Sequence, residues 1–360
     1  QVLRPFLLRR VKKDVESELP NKVEFVVKVE LSAWQKIVYN QIHERQSTSI
    51  DPALGKMGKK TLMNMMMQKR KICDHPYLFL DCLWDINDDL IRCSGKFELL
   101  DRILPKLIHA GHRILVFTQM TRLMDIFESF FEYRKIKYLR LDGTTKYEDR
   151  DERTKLFNKK DSEFPVFILS TRAGGLGLNL QTADTVVLVD SDWNPQMDLQ
   201  AQDRAHRLGQ TREVRVFRLI TNTEAEEGIL NKACFKKTLD DMVIQAGLFN
   251  QKSSDVERRE RIEQMIRKPE ISGEEDSDVP NDSEINQMLA RDESEYELYQ
   301  EMDRKRYEQE RRVYKNFDMS INYRLMQPHE VPEWVKTPVV DYIQSGGRQE
   351  DWRAGQEKVQ

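Results

Sequence analysis

The chain is 360 residues long, 33% charged and 39% hydrophobic, with a formal net charge of −3. That length suits two or more domains, while the apolar fraction supplies one good core rather than 360 residues of it. No apolar run approaches the roughly 18 residues of a membrane-spanning helix, no signal peptide opens the chain, and no membrane partner is expected.

The charge is unevenly divided. Residues 251–345 carry 15 Lys/Arg against 23 Asp/Glu, whereas residues 1–250 are net positive by about five, which suits a body that touches phosphate and a tail that does not. The four cysteines, Cys73, Cys82, Cys93 and Cys234, are irregularly spaced and form no C-x-x-C pair. Although His75 lies near Cys73, we read reduced thiols in a partly apolar helical region rather than a zinc site, and hence a reducing compartment. The chain starts at Gln1 in mid-pattern, as a fragment of a longer protein would.

In chain order, residues 1–20 read as a basic amphipathic helix ended by Pro20. Val23 to Leu31 is valine-rich and predicts a strand. Ser32 is placed as the N-cap of a helix with Trp34, Ile37, Val38 and Ile42 at helical spacing. The polar stretch 46–61 reads as a loop. Its GKMGKKT misses the phosphate-loop spacing and follows no strand, so we reject that assignment. The methionines of 62–80 read as adaptable packing, in a helix that stops before Pro76. A helix from Gly95 to Leu107 follows.

From there apolar strands at 114–118, 137–141, 165–170, 185–190 and 214–220 alternate with helices at 121–133, 146–158, 196–207 and 223–240, with helix or loop at 175–181. Continuous rather than alternating apolar strands imply a parallel sheet covered on both faces, an α/β fold. In such sheets ligands sit at the carboxyl ends of the strands, and all the polar motifs are expected there. Beyond lie an acidic linker at 272–284, one charged helix from Ser283 to about Tyr314 with a thin apolar stripe that docks on a partner or on the body, an extended segment from Arg324 to Trp334, and a disordered end.

Three strand ends carry polar residues: Thr118 and Gln119; Asp142, Gly143, Thr144 and Thr145; Ser170, Thr171 and Arg172. Small hydroxyls, Gln and exposed amides can grip phosphate without reading bases, although turns use the same residues. The helix read at 200–207 puts Arg204 and Arg207 on one face. Spacing alone leaves two readings open: guanidiniums aimed together at an anion, or solvated side chains paired with Asp203 or Asp198. His206 between them reads as structural. Trp193 is either a core plug or, given its polar neighbours, an exposed wedge that stacks on a nucleic acid.

The runs LRPFLLRRVKKDVESELPNKVE, QKRKICDHPYLF, SGKFELLDRILPKL, RILVFTQMTRLMDI, RLDGTT, LSTRAGGLGLNLQTADTVVLVDSDWNP and DLQAQDRAHRLGQTREVRVFRLIT closely resemble the second RecA-like lobe of superfamily 2 translocases, in the SWI/SNF class of chromatin-remodelling ATPases. The tail, with DSEINQMLARDESEYELYQEMD and RLMQPHEVPEW, resembles the SnAC region of the Brahma-type branch, a histone-anchoring module. The resemblance implies a lobe-linking helix and edge strand (1–31), a helical protrusion (32–94), the RecA-like lobe (95–222), a brace helix (223–250), a charged linker (251–282), a largely helical acidic SnAC-like region (283–345) and a disordered tail (346–360).

It further implies that Arg204 and Arg207 are arginine fingers, and that Gly175, Gln200 and Asp203 join them at ATP with Mg²⁺. Gln119, Arg140, Gly143, Thr144, Ser170, Thr171, Arg172, Trp193 and Asn194 would meet DNA, with Trp193 towards the minor groove. The implied partners are nucleosomal double-stranded DNA, histones through the tail, the first RecA-like lobe and a multisubunit remodelling complex in the nucleus. The sequence departs from a whole motor in having neither a phosphate loop nor a DEAH-type box, so the isolated chain is expected to bind ATP poorly and not to turn it over. Two alternatives are a helicase lobe of the same superfamily, which the protrusion, the Trp193 loop and the tail disfavour, and a non-catalytic DNA- and histone-binding scaffold, which the intact Arg204 and Arg207 disfavour.

Overall fold

The computed structural model describes residues 19–48, 59–80, 86–172, 178–207, 209–230, 279–313 and 322–336. The expectations for the first helix, most of the 46–61 loop, Gly175, the brace helix beyond 230, most of the charged linker, Cys82, Cys234 and the final tail lie outside these residues.

Six strands, β1 (Lys22–Val29), β2 (Ile114–Thr118), β3 (Tyr138–Leu141), β4 (Val166–Ser170), β5 (Thr185–Leu188) and β6 (Val214–Thr221), form one sheet in the order β1-β6-β5-β2-β4-β3. Every pairing is parallel, with Lys22 opposite Val214 at the start of the longest ladder and Thr118 opposite Ser170 in the middle of the sheet. Alternate strand residues point to opposite faces, and both faces are apolar. Ile114, Val116, Ile168 and Val187 enter one buried cluster, while Leu115, Phe117, Phe167 and Val186 enter another. This is why the strands read as unbroken apolar runs.

Helices cover the two faces separately. The helices α1 (Ala33–Thr48), α2 (Lys59–Asp74), α3 (Asp89–Arg92), α4 (Gly95–His109) and α5 (Thr121–Tyr133) precede or flank β2. The face built on Ile114 and Val116 takes Phe97, Leu100 and Leu104 of α4 and Phe127 and Phe130 of α5. The other takes Phe157 of α6 (Tyr147–Asn158) and Ala201 of α7 (Pro195–Gln202). A side chain at Gly95 would place its Cβ 1.8 Å from the Glu30 carbonyl oxygen, so only glycine lets α4 start this close to the end of β1.

Ser32 caps α1 as its sequence position suggests. Its hydroxyl accepts from the Gln35 backbone amide at 3.1 Å, and the Gln35 side-chain Oε1 accepts from the Ser32 amide at 3.1 Å, a reciprocal capping box. Gln35 is fully buried and also donates to the Ile72 and Cys73 carbonyls, tying α1 to α2. Trp34, Tyr77, Leu78, Leu90 and Ile91 belong to the lobe's own core, so the described base of the 32–94 region is continuous with the sheet layer rather than a separate body. Cys73 and His75 turn to different partners, the Thr223 hydroxyl and the Leu90 carbonyl, and burial pushes the Cys73 thiol up to about 12.

The C-terminal region differs from the expected single helix. It forms α8 (Asp282–Leu289) and α9 (Glu293–Val313), broken at Ala290 to Asp292. Ala290 is extended, Asp292 caps the new helix by accepting from the Glu295 amide at 2.9 Å, and Arg291 reaches the Thr185 hydroxyl at 2.9 Å. Residues 324–334 are not an extended segment. They form turns running into α10 (Glu333–Lys336), and the Met326 amide donates to the Arg92 carbonyl at 2.8 Å. Ile285, Leu289, Tyr299, Met326 and Val335 are buried in the lobe's core cluster, so the apolar stripe docks on the body. Asp282 binds Arg102 at 2.5 Å and Arg306 at 2.7 Å and is held well below the usual carboxylate range, the charges of Arg102, Arg306 and Arg324 overcoming the upward push of burial. Much of this segment's charge is therefore matched internally.

Candidate nucleotide and nucleic-acid site

Strands β2, β3, β4 and β5 deliver their polar ends to one edge. Gln119 donates its backbone amide to the Asp190 carboxylate at 2.9 and 3.2 Å, while its side-chain Nε2 is buried with no hydrogen-bond partner. Ser170 and Thr171 are buried, and the Thr171 amide donates to the Thr118 carbonyl at 2.9 Å, whereas Arg172 is exposed. In the next turn Asp142 accepts from the Thr144 amide at 2.9 Å and the Thr144 hydroxyl at 2.6 Å. Those bonds and Arg140 outweigh burial and hold Asp142 down to about 2. Gly143 is exposed in that turn.

Arg140 meets Asp125 at 2.6 Å, Glu128 at 2.5 Å and Asp142 at 3.0 Å. One guanidinium faces three carboxylates, a locally negative arrangement that is a poor landing place for phosphate. Asn194 is likewise engaged: its side chain caps α7 by accepting from the Gln196 amide at 3.2 Å. Trp193, one residue earlier, is half-buried.

Arg204 and Arg207 do not lie on a helix face. α7 ends at Gln202, and Asp203 to Arg207 form turns after it. Nor do they share the carboxyl edge. His206 meets the Pro20 carbonyl at 2.8 Å, the Leu180 amide donates to the Arg204 carbonyl, and Gln210 donates to the Ala183 carbonyl at 2.7 Å. Pro20 and Ala183 stand just before β1 and β5, so this turn belongs to the amino edge of the sheet. α7 runs back across the sheet, antiparallel to β5, and carries the motif away from the strand ends. The expectation that every polar motif sits at the carboxyl edge is corrected for this pair.

The turn leaves Arg204 half-buried between the like charge of Arg207 and the opposing carboxylate of Asp203. Its Nε is buried without a hydrogen-bond partner, and burial first, then the Arg207 charge, push its guanidinium below the ordinary arginine value. Asp198 is not its counter-ion, because that carboxylate is engaged by Arg218. Arg207 and Gln200 are exposed and Asp203 is half-buried. Gly209 closes the turn at φ +95°, with Gln181 Oε1 2.5 Å from where a Cβ would stand. We expect Gly209→Ala to lower stability by about 1–2 kcal/mol, the cost of left-handed backbone for an L-residue. A thermal unfolding transition unchanged from wild type would contradict this.

A buried network beside the carboxyl edge was not singled out from the sequence. Lys96 Nζ, fully buried, reaches Asp74 at 2.8 Å, Glu226 at 2.6 Å and the Val189 carbonyl at 2.8 Å. Burial opposes its charge, but Asp74 and Glu226 hold its pKa above the usual lysine value. Glu226 also accepts from the Thr221 amide and hydroxyl, and Arg70 lies 3.7 Å from Asp190. The one local signal is Lys96 two residues after Ser94, the residue preceding α4, on a face otherwise apolar.

Residues 95–209 match the helicase conserved C-terminal domain, and residues 1–78 match the SNF2-related domain. A probable ATP-dependent DNA helicase of Arabidopsis thaliana, CHR12, is 51% identical over 338 residues, 93% of this chain and 30% of that protein. The Drosophila melanogaster ATP-dependent helicase brm is 48% identical over 93% of this chain and 21% of its own length. The Saccharomyces cerevisiae transcription regulatory protein SNF2 is 55% identical over 74% of this chain and 16% of its own length. The chain belongs to the SWI/SNF-type, SNF2-related ATPases. It spans less than a third of the length of these curated relatives. Among solved structures, the C-terminal part of the Fun30 ATPase domain superposes with a TM-score of 0.51 at 29% identity, over 60% of this chain and 90% of that one. In this SNF2-related chain the helicase C-terminal match covers α4 through the Arg204 turn, which is both sheet edges described above.

Proposed function

We propose that the chain is the second motor lobe of an ATP-dependent translocase that acts on the double-stranded DNA of nucleosomes. The observation that carries this reading is Arg204: a half-buried guanidinium, its Nε without a hydrogen-bond partner, beside a second arginine at an edge of the sheet. Two planar guanidiniums close enough for the Arg207 charge to act on Arg204 suit a multiply charged anion, and a triphosphate supplies one. Aimed at the transferring phosphoryl group, Arg204 and Arg207 stabilise the charge that develops on it. Gln200 and Asp203, on the same stretch, frame that contact.

Among the described residues no group of three His, Cys, Asp or Glu side chains could hold a metal ion. The chain carries neither a phosphate loop nor a DEAH-type box, so magnesium, which one or two carboxylates and the substrate phosphates ordinarily hold, and the phosphate cradle are assigned to a complementary first lobe. The isolated chain is expected to show no DNA-stimulated ATP hydrolysis, and measurable turnover by it alone would defeat this division of labour.

The carboxyl edge takes the other partner. Gln119, with its unpaired side-chain amide, and Ser170, Thr171 and Arg172 offer donors to a phosphate backbone, which gives binding without sequence readout. Thr144 is left out, since its amide and hydroxyl both donate to Asp142. Arg140 is left out, since its guanidinium is matched by carboxylates, and Asn194 serves Trp193 by holding the helix start behind it. Closure of two lobes on ATP would then move DNA across this edge. In the full-length protein Trp193→Ala should uncouple movement from hydrolysis: DNA displacement falls while ATP consumption persists. Equal loss of both would remove the wedge role. The docked C-terminal region, with Arg304, Lys305 and Arg312 exposed on α9, is proposed as the part that meets histones, within a nuclear remodelling complex.

A further inference from the structure

We propose that Arg70, on α2, is a positioning residue that sets the Trp193 loop, so that the 32–94 region governs how the carboxyl edge meets DNA. The inference rests on the DNA reading of that edge. β5 ends at Leu188, and the three residues that lead from it to Asp192 and Trp193 are each held by a buried charged group. The Val189 carbonyl accepts from Lys96 at 2.8 Å. The Asp190 carboxylate accepts from the Gln119 amide at 2.9 Å and faces Arg70 at 3.7 Å. The Ser191 carbonyl accepts from Arg70 at 2.9 Å, and its hydroxyl accepts from Arg218 at 2.8 Å.

Carbonyls beyond the last ladder bond must find donors, and water ordinarily serves at a surface loop. Here the donors are cations that are almost wholly buried, Arg70 being 4% exposed and Lys96 0%. Hydrogen bonds from charged donors are short and directional, so they fix the exit path of the chain as well as satisfying it. Asp190 joins the Gln119 loop to the same anchor, which makes the two DNA-facing loops one unit. Arg70 stands one turn before Asp74, which grips Lys96. α2 therefore holds this unit at two points, and a tilt of α2 would shift Gln119 and Trp193 together. α2 spans 16 residues, about 24 Å at helical rise, long enough to act as a lever.

The test is Arg70→Met in the full-length protein, reading DNA displacement per ATP hydrolysed at saturating duplex DNA. A purely structural Arg70 would lower the folded fraction and scale both rates down together, leaving the ratio unchanged, and that result would overturn the proposal. Misplacing a contact loop should instead lower the ratio by roughly tenfold. Trp193→Ala is the internal reference. If it lowers the ratio and Arg70→Met does not, the positioning role fails while the DNA reading stands; if neither does, the DNA reading fails as well. The double variant is expected to be no worse than Trp193→Ala alone, because the two residues act in series. Should Arg70→Met not fold, Arg70→Gln keeps a polar side chain but loses the charge facing Asp190 and the reach to the Ser191 carbonyl, and an unchanged ratio there equally overturns the proposal.

Discussion

Arg204→Ala in the full-length protein is expected to lower DNA-stimulated ATP hydrolysis by roughly 10³–10⁵, the range measured for arginine fingers. Duplex DNA binding should remain nearly intact, because the turn holding Arg204 lies at the opposite edge of the sheet from the strand-end loops. Arg204→Lys should recover little, since an ammonium lacks the planar fork that grips two phosphate oxygens. The substitution should not unfold the lobe: Arg204 donates no side-chain hydrogen bond from Nε, and removing a partly desolvated charge beside Arg207 relieves repulsion. Steady-state ATPase assays with and without DNA, paired with a DNA-binding titration, read both halves of the claim. Loss of DNA binding with hydrolysis preserved would reverse the assignment of the two edges.

Lys96→Ala is expected to destabilise the lobe by about 3–5 kcal/mol, as breaking a buried ion pair does. The cause is less the lost attraction than what stays behind. Asp74 and Glu226 would face each other, buried, with no cation between them, and the Val189 carbonyl would lose its donor. Denaturation midpoints of the wild-type and variant proteins measure this. A triple replacement of Lys96, Asp74 and Glu226 by apolar residues of similar volume should recover most of the loss, because it removes the stranded charges together with the pair. If Lys96→Ala alone lies within about 0.5 kcal/mol of wild type, the size of an ordinary surface change, the network has no part in holding α2 to the sheet.

The strands were the most legible part of the molecule. Ile114–Thr118 is found where its sequence indicates, because a strand buried on both faces must be apolar at every position. The helix over Thr121–Tyr133 is equally plain, with Leu123, Met124, Phe127, Phe130 and Phe131 in its buried stripe. Boundaries failed where a cap competes with periodicity. The break at Ala290 to Asp292 was written in Asp292 and Glu295 as an N-cap and its N3 partner, but both sit inside a charged run that otherwise suits a continuous helix. Arg204 and Arg207 have helical spacing, yet the helix stops at Gln202 and the turn follows. Here Gln210 draws the backbone aside by bonding the Ala183 and Ala205 carbonyls, a tertiary contact that overrides local propensity.

The amino-acid sequence by itself determined the parallel sheet, the order of its elements and the residues at each strand end, because periodicity and burial are properties of neighbouring positions. Only the tertiary structure decided which charges remain available. Arg140 is matched by Asp125 and Glu128, Arg218 by Asp198, and Asp282 by Arg102 and Arg306, while Arg204 is half-buried beside the like charge of Arg207. Arg70 finds Ser191 across 121 positions and Lys96 finds Glu226 across 130. No local pattern records such pairings, since a guanidinium in an exposed turn and one locked by carboxylates look alike until the chain is folded and each has been desolvated beside its partner.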